Sequence, residues 1–277
     1  MNKWNLQNSC KGVFILGKAI AIFNQKGGVG KTTTNINLAA CLAIKGKRVL
    51  VVDIDPQGNT TSGLGIAKKG LADTMYDVII VDGYDPKNAI RHTVVKGLDI
   101  IPASVELAGA EVEMVQLEGR DKRLKRALDK IKESYDYIFI DCPPSLGLLT
   151  INSLTAVDSV LIPIQCEFYA LEGVSQLMST ISLVKKSMNP NLEIQGVILS
   201  MFDGRTNLSI QVVEEVKKYF KQKVYTTVIP RNVRLAEAPS YGLPIMEYDP
   251  KSTGARAYME FAEEFLTLEK KKKRGTR

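Results

Sequence analysis

The strongest constraint in this sequence is an apolar run that ends in a glycine-rich turn and restarts as a helix. Residues 18–23 (KAIAIF) read as a strand covered on both faces, and Asn24-Gln25-Lys26-Gly27-Gly28-Val29-Gly30-Lys31-Thr32 follows directly. Beyond it, Ile36, Leu38, Ala39, Ala40, Leu42 and Ala43 recur at helical spacing, and Gly46 stops the helix. Further strands are predicted at 48–54, 98–102, Tyr137–Asp141, 159–164, 195–201 and 226–230. Helical stripes fall between them: Val174, Leu177, Met178, Ile181 and Val184, then Val212, Val213, Val216, Tyr219 and Phe220, each read as a core face. Alternating strands and helices predict an α/β fold, a doubly wound, mostly parallel sheet with helices on both faces.

Length and composition agree with one large domain. The 277 residues carry 45% hydrophobic and 24% charged side chains, and no apolar run approaches the roughly 18 residues of a membrane span. The predicted organisation is a disordered leader at 1–17 without the long apolar core of a signal peptide, a single domain at 18–268, and a basic flexible tail at 269–277. Cys10, Cys41, Cys142 and Cys166 are widely spaced, which excludes a Cys-x-x-Cys metal or redox pair and fits a reducing, cytoplasmic setting. One histidine, His92, leaves no His-based triad. The net charge of +7 is mostly a tail effect: six of the 37 basic residues lie in Lys270–Arg277, and without them 31 face 30 acidic ones. A nucleic-acid site must therefore rest on local basic residues.

The glycine-rich loop has the make-up of a phosphate cradle. Gly27, Gly28 and Gly30 let successive backbone N–H groups turn toward anionic oxygens, and the helix behind adds its positive end. Lys31 is placed for β- and γ-phosphates, and the Thr32 hydroxyl, next to Thr33, for Mg²⁺. The general phosphate-loop pattern has glycine five residues before its last glycine; here that position is Gln25, and Lys26 follows as an extra cation. Asp53 and Asp55 close an apolar strand, where α/β sheets place ligand-contacting residues, and point to opposite sides while the strand persists. Asp141 ends the strand Tyr137–Asp141, the position of a Mg²⁺-holding carboxylate.

The stretch from Lys26 to Thr32 resembles the deviant Walker A signature of the ParA/MinD superfamily. Asp55-Pro56-Gln57-Gly58-Asn59, Asp141-Cys142-Pro143-Pro144-Ser145-Leu146-Gly147, Glu167-Phe168-Tyr169-Ala170-Leu171-Glu172-Gly173 and Ile229-Pro230-Arg231-Asn232-Val233-Arg234 are similar to ParA/Soj chromosome-partitioning ATPases, and the likeness spans 18–268. The resemblance implies an ATP hydrolase of slow intrinsic turnover, using ATP and Mg²⁺. Lys26 would reach the partner's phosphates across a sandwich homodimer, much as an arginine finger does. Asp55 would position the attacking water, Asp141 would hold Mg²⁺ through water, and Pro230 and Asn232 would lie against adenine. It further implies non-specific binding of the ATP dimer to double-stranded DNA through Arg205 and Arg234, release on hydrolysis stimulated by a ParB-type partner, and a nucleoid-associated location. Lys217, Lys218 and Lys221 either extend that patch or form a solvated helix face.

Other readings are weaker on the residues. A MinD-like membrane ATPase wants a basic amphipathic C-terminal helix, whereas Phe261, Phe265, Leu266 and Leu268 alternate with Glu260, Glu263, Glu264 and Glu269, so no stable membrane association is expected. An iron–sulfur carrier needs cysteines bridging two subunits, and only Cys142 lies near the nucleotide face. A tyrosine autokinase lacks its C-terminal tyrosine cluster. A DNA-binding scaffold without catalysis leaves Lys31, Thr32, Asp55 and Asp141 unexplained.

Overall fold

The structure is a computed structural model that describes residues 17–167 and 172–275. Residues 1–16 of the expected leader (Cys10 among them), residues 168–171 of the Glu167-to-Gly173 stretch and residues 276–277 of the expected tail lie outside the described residues. Gly17, at the leader's end, donates to the Lys132 carbonyl at 3.2 Å.

Eight strands form one sheet in the order β3-β4-β2-β5-β1-β6-β7-β8. They are β1 (Lys18–Ile22), β2 (Val49–Asp53), β3 (Arg91–His92), β4 (Leu98–Ile101), β5 (Tyr137–Asp141), β6 (Ser159–Gln165), β7 (Glu193–Phe202) and β8 (Val224–Pro230). Every pairing is parallel except the edge pair β3–β4. The six predicted strands beyond 18–23 are all present, with ends shifted by one or two residues. The seventh, β3, is two residues long, too short to carry a period in sequence.

Side chains of the central strands divide strictly by parity, as a pleated strand requires. Ala19 and Ala21 of β1, Leu50 and Val52 of β2, and Ile138 and Ile140 of β5 face one core. Ile20, Ile22, Val49, Val51, Tyr137 and Phe139 face the other. The second core is covered by α1 (Lys31–Ile44) and the final helix, through Ile36, Leu42, Phe261 and Phe265. The first is covered by α3 (Met75–Ile80), α4 (Leu107–Glu113), α5 (Arg123–Asp129), α6 (Leu148–Ala156), α7 (Glu172–Ser187) and α8 (Asn207–Phe220). The short helix α2 (Asn59–Gly63) follows β2; α9 (Val233–Glu237), α10 (Ile245–Tyr248) and α11 (Thr253–Gly275) complete the chain. A three-layer α/β/α sandwich results.

Two expectations change here. Tyr219 is 51% exposed, because Val212, Val216 and Phe220 already fill the core face of α8; its ring meets Phe220 edge-on at 4.9 Å. The stretch expected as a flexible tail is helical through Gly275, since α11 continues into it. Glu269 is buried there, accepting from Lys18 at the foot of β1 and from Gln195 on β7.

Register sets the site. Asp141 stands opposite Ile22 on one side and Asp53 on the other, so β1, β5 and β2 end at one level. β1 has β5 on one flank and β6 on the other, which makes its tip the point where strand order reverses. Ligands of open α/β sheets bind at such points.

Candidate functional site

The loop after β1 is fixed by its own backbone before any ligand is considered. Gly28 and Gly30 have φ of 73° and 88°, a region costly for any side chain, and Gly30 also caps α1. An added Cβ at Gly27 or Gly28 would meet nothing within 4 Å, so the loop leaves an open cradle above its amides. Below, the loop is pinned. Asn24 donates to the Pro163 carbonyl at 2.8 Å and accepts from the Lys26 N–H at 3.0 Å. Ser200 Oγ donates to the Val29 carbonyl at 2.8 Å, and Gln25 Nε2 donates to Thr180 Oγ1 at 3.0 Å.

Lys31 is 8% exposed and donates to the Lys26 carbonyl at 3.0 Å. Burial lowers its pKa, and the carboxylates of Asp141 and Asp55 pull it partly back. A cation this short of water gains from an anionic ligand. Thr32 and Thr60 both donate to Asp141 Oδ2, each at 2.7 Å. Asp141 Oδ1 is buried and accepts no hydrogen bond. Burial raises the Asp141 carboxyl, opposed by the two threonine bonds and by Lys31.

Asp53 and Asp55 part company as strand alternation requires. Asp53 is fully buried and turned into the protein, where burial and then the Asp141 charge raise its pKa and two bonds from Thr61 lower it. Asp55, 9% exposed, accepts from the Gln57 N–H at 3.0 Å and lines the cleft with Lys31, Thr32 and the loop glycines. That cleft encloses about 450 Å³.

These groups fit a nucleotide with Mg²⁺. The cradle offers N–H groups and Lys31 to phosphate oxygens. The Thr32 hydroxyl and the Asp141 carboxylate, with an acceptor atom to spare, form the hard oxygen set that Mg²⁺ takes together with water.

Other sequence-predicted residues lie apart from this cleft. Pro230 ends β8, and Asn232 accepts from the Leu235 N–H as the cap of α9 while donating to Thr253 at 2.6 Å. Arg205 is exposed and bonded to Asp203 at 2.6 and 2.8 Å. Arg234 donates to Glu237 at 2.8 Å and approaches Asp249 at 3.5 Å. Lys218 is paired with Glu215. Cys142 is fully buried, its thiol pushed up to about 12 by burial, which suits packing and not metal ligation. Phe261 and Phe265 are fully buried against the sheet, so the apolar face of α11 is already used inside the fold.

Sequence reasoning missed several contributors. Met201 lines the cleft with φ of 52°, an unusual backbone for methionine at a break in the β7–β8 register. Thr60 and Thr61 anchor α2 to the strand-end carboxylates. Val105, in the turn leading into α4, Val112 on α4, and Val115 in the 3-10 turn after it are 75%, 74% and 55% exposed. The Val105 end of this stripe reaches the cleft's neighbour: Gln57 and Asn59 line both the cleft and the adjoining hollow walled by Ser104 and Val105. Its members fall in a turn, α4 and a 3-10 turn, so no single helical period in the sequence marks the stripe, and nothing there says that it faces outward.

A family model described as an AAA domain matches residues 17–194. The chain is 65% identical over 249 residues to the sporulation initiation inhibitor protein Soj of Bacillus subtilis, covering 90% of this chain and 98% of that one. It is 53% identical over 257 residues to the chromosome partitioning protein ParA of Myxococcus xanthus, covering 92% and 90%. Among solved structures, the septum site-determining protein MinD of Pyrococcus horikoshii complexed with Mg-ADP superposes with a TM-score of 0.76 at 28% identity, covering 91% and 97%. With the phosphate cradle, the strand-end carboxylates and these likenesses together, the chain belongs to the ParA/Soj family of chromosome-partitioning ATPases within the ParA/MinD superfamily.

Proposed function

We propose that this chain is an ATP-dependent DNA-segregation ATPase whose ATP-bound form is a face-to-face homodimer. The observation that carries the reading is the junction of the cleft with the apolar stripe. Lys31, Thr32 and Asp55 line a cleft that shares Gln57 and Asn59 with the hollow below Val105. A second copy closing over bound nucleotide would cover that stripe, which a lone monomer leaves in water.

The loop amides and Lys31 bind the phosphates and orient the terminal one. Mg²⁺, when bound by Thr32 and Asp141, offsets negative charge on the transferring phosphoryl group. Asp55 orients the attacking water. Lys26 of each subunit completes the other's site, so two bound ATP molecules hold the pair together. Loss of the terminal phosphate removes those contacts, and the dimer opens. Pro230 and Asn232 are proposed to flank the adenine, with Asn232 also capping α9.

Arg205 and Arg234 of both subunits meet one DNA duplex through its phosphates, so binding is sequence-independent and gains by avidity. A ParB-type partner accelerates a slow intrinsic hydrolysis, and the protein sits on the nucleoid in the cytoplasm. The membrane alternative is disfavoured by the packed apolar face of α11.

DNA binding measured without nucleotide, with ADP and with a slowly hydrolysed ATP analogue tests this directly. Binding with the analogue alone is expected. Equal binding in all three conditions would overturn the switch, and ATP-dependent liposome binding without DNA binding would favour the membrane alternative.

A further inference from the structure

One fully buried group stands between the cleft and the apolar stripe and belongs to neither. The Thr61 hydroxyl donates to Asp53 Oδ2 at 2.6 Å and accepts from the Ala103 N–H at 2.9 Å. The Thr61 N–H donates to the same carboxylate oxygen at 2.7 Å, and Asp53 Oδ1 accepts from the Asp55 N–H at 3.3 Å. Asp53, Thr61 and Ala103 are all 0% exposed.

This hydroxyl joins the tip of β2, the helix α2 and the segment leading into α4. A hydroxyl offers one donor and two acceptor sites, and here both functions are engaged. The five residues of α2 are too few to be stable as a helix alone, so its position comes from what it is tied to. Thr60 ties it to Asp141 at 2.7 Å and Thr61 ties it to Asp53. On its upstream side, Asp55, Gln57 and Asn59 line the cleft. Beyond Ala103, Ser104 and Val105 wall the adjoining hollow and begin the exposed stripe. Any shift of α2 on filling the cleft therefore pulls on the Ala103 amide through one side chain.

We propose that Thr61 is a positioning residue that couples nucleotide occupancy of the cleft to the setting of the Val105–Val112–Val115 stripe, and so to ATP-dependent dimerisation. The proposal rests on the reading that this stripe closes on a second copy.

The test uses the full chain with Thr61→Val, which keeps the shape and removes both hydrogen-bonding functions, and Thr61→Ser, which keeps them. ATP affinity is read by titration with a fluorescent ATP analogue, and dimerisation by sedimentation. Thr61→Val should bind ATP within about threefold of the parent yet dimerise about tenfold more weakly, a coupling of ordinary size, while Thr61→Ser stays within about twofold. A residue that merely stabilised the fold would leave this split between ATP affinity and dimerisation absent. A folded Thr61→Val chain that dimerises like the parent overturns the proposal. A parent that stays monomeric with ATP overturns the dimer reading instead.

Hydrogen exchange decides the matter without the valine variant, should that variant not fold. In Lys26→Ala, expected to hold ATP as a monomer, ATP should slow amide exchange across residues 103–107, which lie beyond the cleft lining. Unchanged exchange there overturns the coupling, whatever the oligomeric state of the parent.

Discussion

Replacing Glu269 by glutamine keeps the shape of the side chain and removes its charge. In the parent, Lys18 Nζ donates to both carboxylate oxygens at 2.9 and 3.0 Å, and Gln195 Nε2 donates to Oε1 at 2.9 Å. Gln195 Oε1 in turn accepts from Lys18 at 2.8 Å and from Ser159 at 3.1 Å, so the group closes a network joining β1, β6, β7 and α11. Glu269 is 4% exposed, and breaking a buried pair by removing one partner costs about 3–5 kcal/mol. The Lys18 side chain is 25% exposed and regains some hydration, which brings the loss to about 2–3 kcal/mol. At about 2–4 °C per kcal/mol for a chain of this size, Tm should fall by about 4–12 °C.

The pH dependence has a definite sign. Burial pushes the Glu269 carboxyl up, but the bonds from Lys18 and Gln195 outweigh it, and the net pKa lies below the ordinary 4.5. A depressed carboxyl contributes stability that is fully present above 4.5 and is lost as pH falls through the lower folded value. Urea denaturation of parent and variant should therefore differ in midpoint, with equal slopes, at neutral pH, and converge as the solution is acidified below about pH 4.5. A difference below about 0.5 kcal/mol at neutral pH, or one that persists unchanged in acid, refutes the reasoning.

The remaining predictions concern the proposed cycle. Lys26→Ala should bind ATP normally but no longer dimerise; an ATP-dependent change in gel-filtration profile matching the parent's would remove Lys26 from its role in trans. Asp55→Ala should lower hydrolysis by at least about a hundredfold and accumulate an ATP dimer on DNA, so normal phosphate release would place the water-orienting role elsewhere. Val112→Glu, at a position 74% exposed, should leave monomer stability within about 0.5 kcal/mol while abolishing the ATP dimer, which would have to bury the new charges. An intact dimer would show that the stripe is not the contact.

What sequence revealed and what it hid follow from contact range. β1, β2 and β5 are covered on both faces, so they read as unbroken apolar runs with nearly correct ends. The loop glycines were legible because their φ values answer to local backbone geometry. Between residues 59 and 129 the helices are only five to seven residues long, too short for a helical period to emerge. Glu269 resembles part of a solvated charged tail because its partner Lys18 lies 251 residues away. Thr61 looks like an ordinary turn residue; its function as a junction depends on Ala103, 42 residues on. Met201 takes its strained φ from the β7–β8 register break, which no local pattern announces.

The proposed DNA contacts raise a question of strength that their geometry answers. Arg205 is bonded twice to Asp203, whose carboxyl is held down to about 2 by those bonds, so the pair stays ionised at any working pH. Arg234 is likewise engaged by Glu237 and Asp249. A DNA phosphate must displace a carboxylate at each position. Exposed pairs of this kind are weak, so displacement is possible, but each contact yields less than a free arginine would. On the proposed function, one subunit would bind poorly and two subunits joined by ATP would bind well, which would turn a nucleotide switch into a DNA switch. Asp203→Asn should break this balance. Released from its partner, Arg205 should raise DNA affinity without nucleotide, steepen the salt dependence by about 0.9 per added phosphate contact, and narrow the gap between ATP and nucleotide-free binding. Unchanged affinity and slope would remove Arg205 from the interface and return the patch to Arg234 and the lysines of α8.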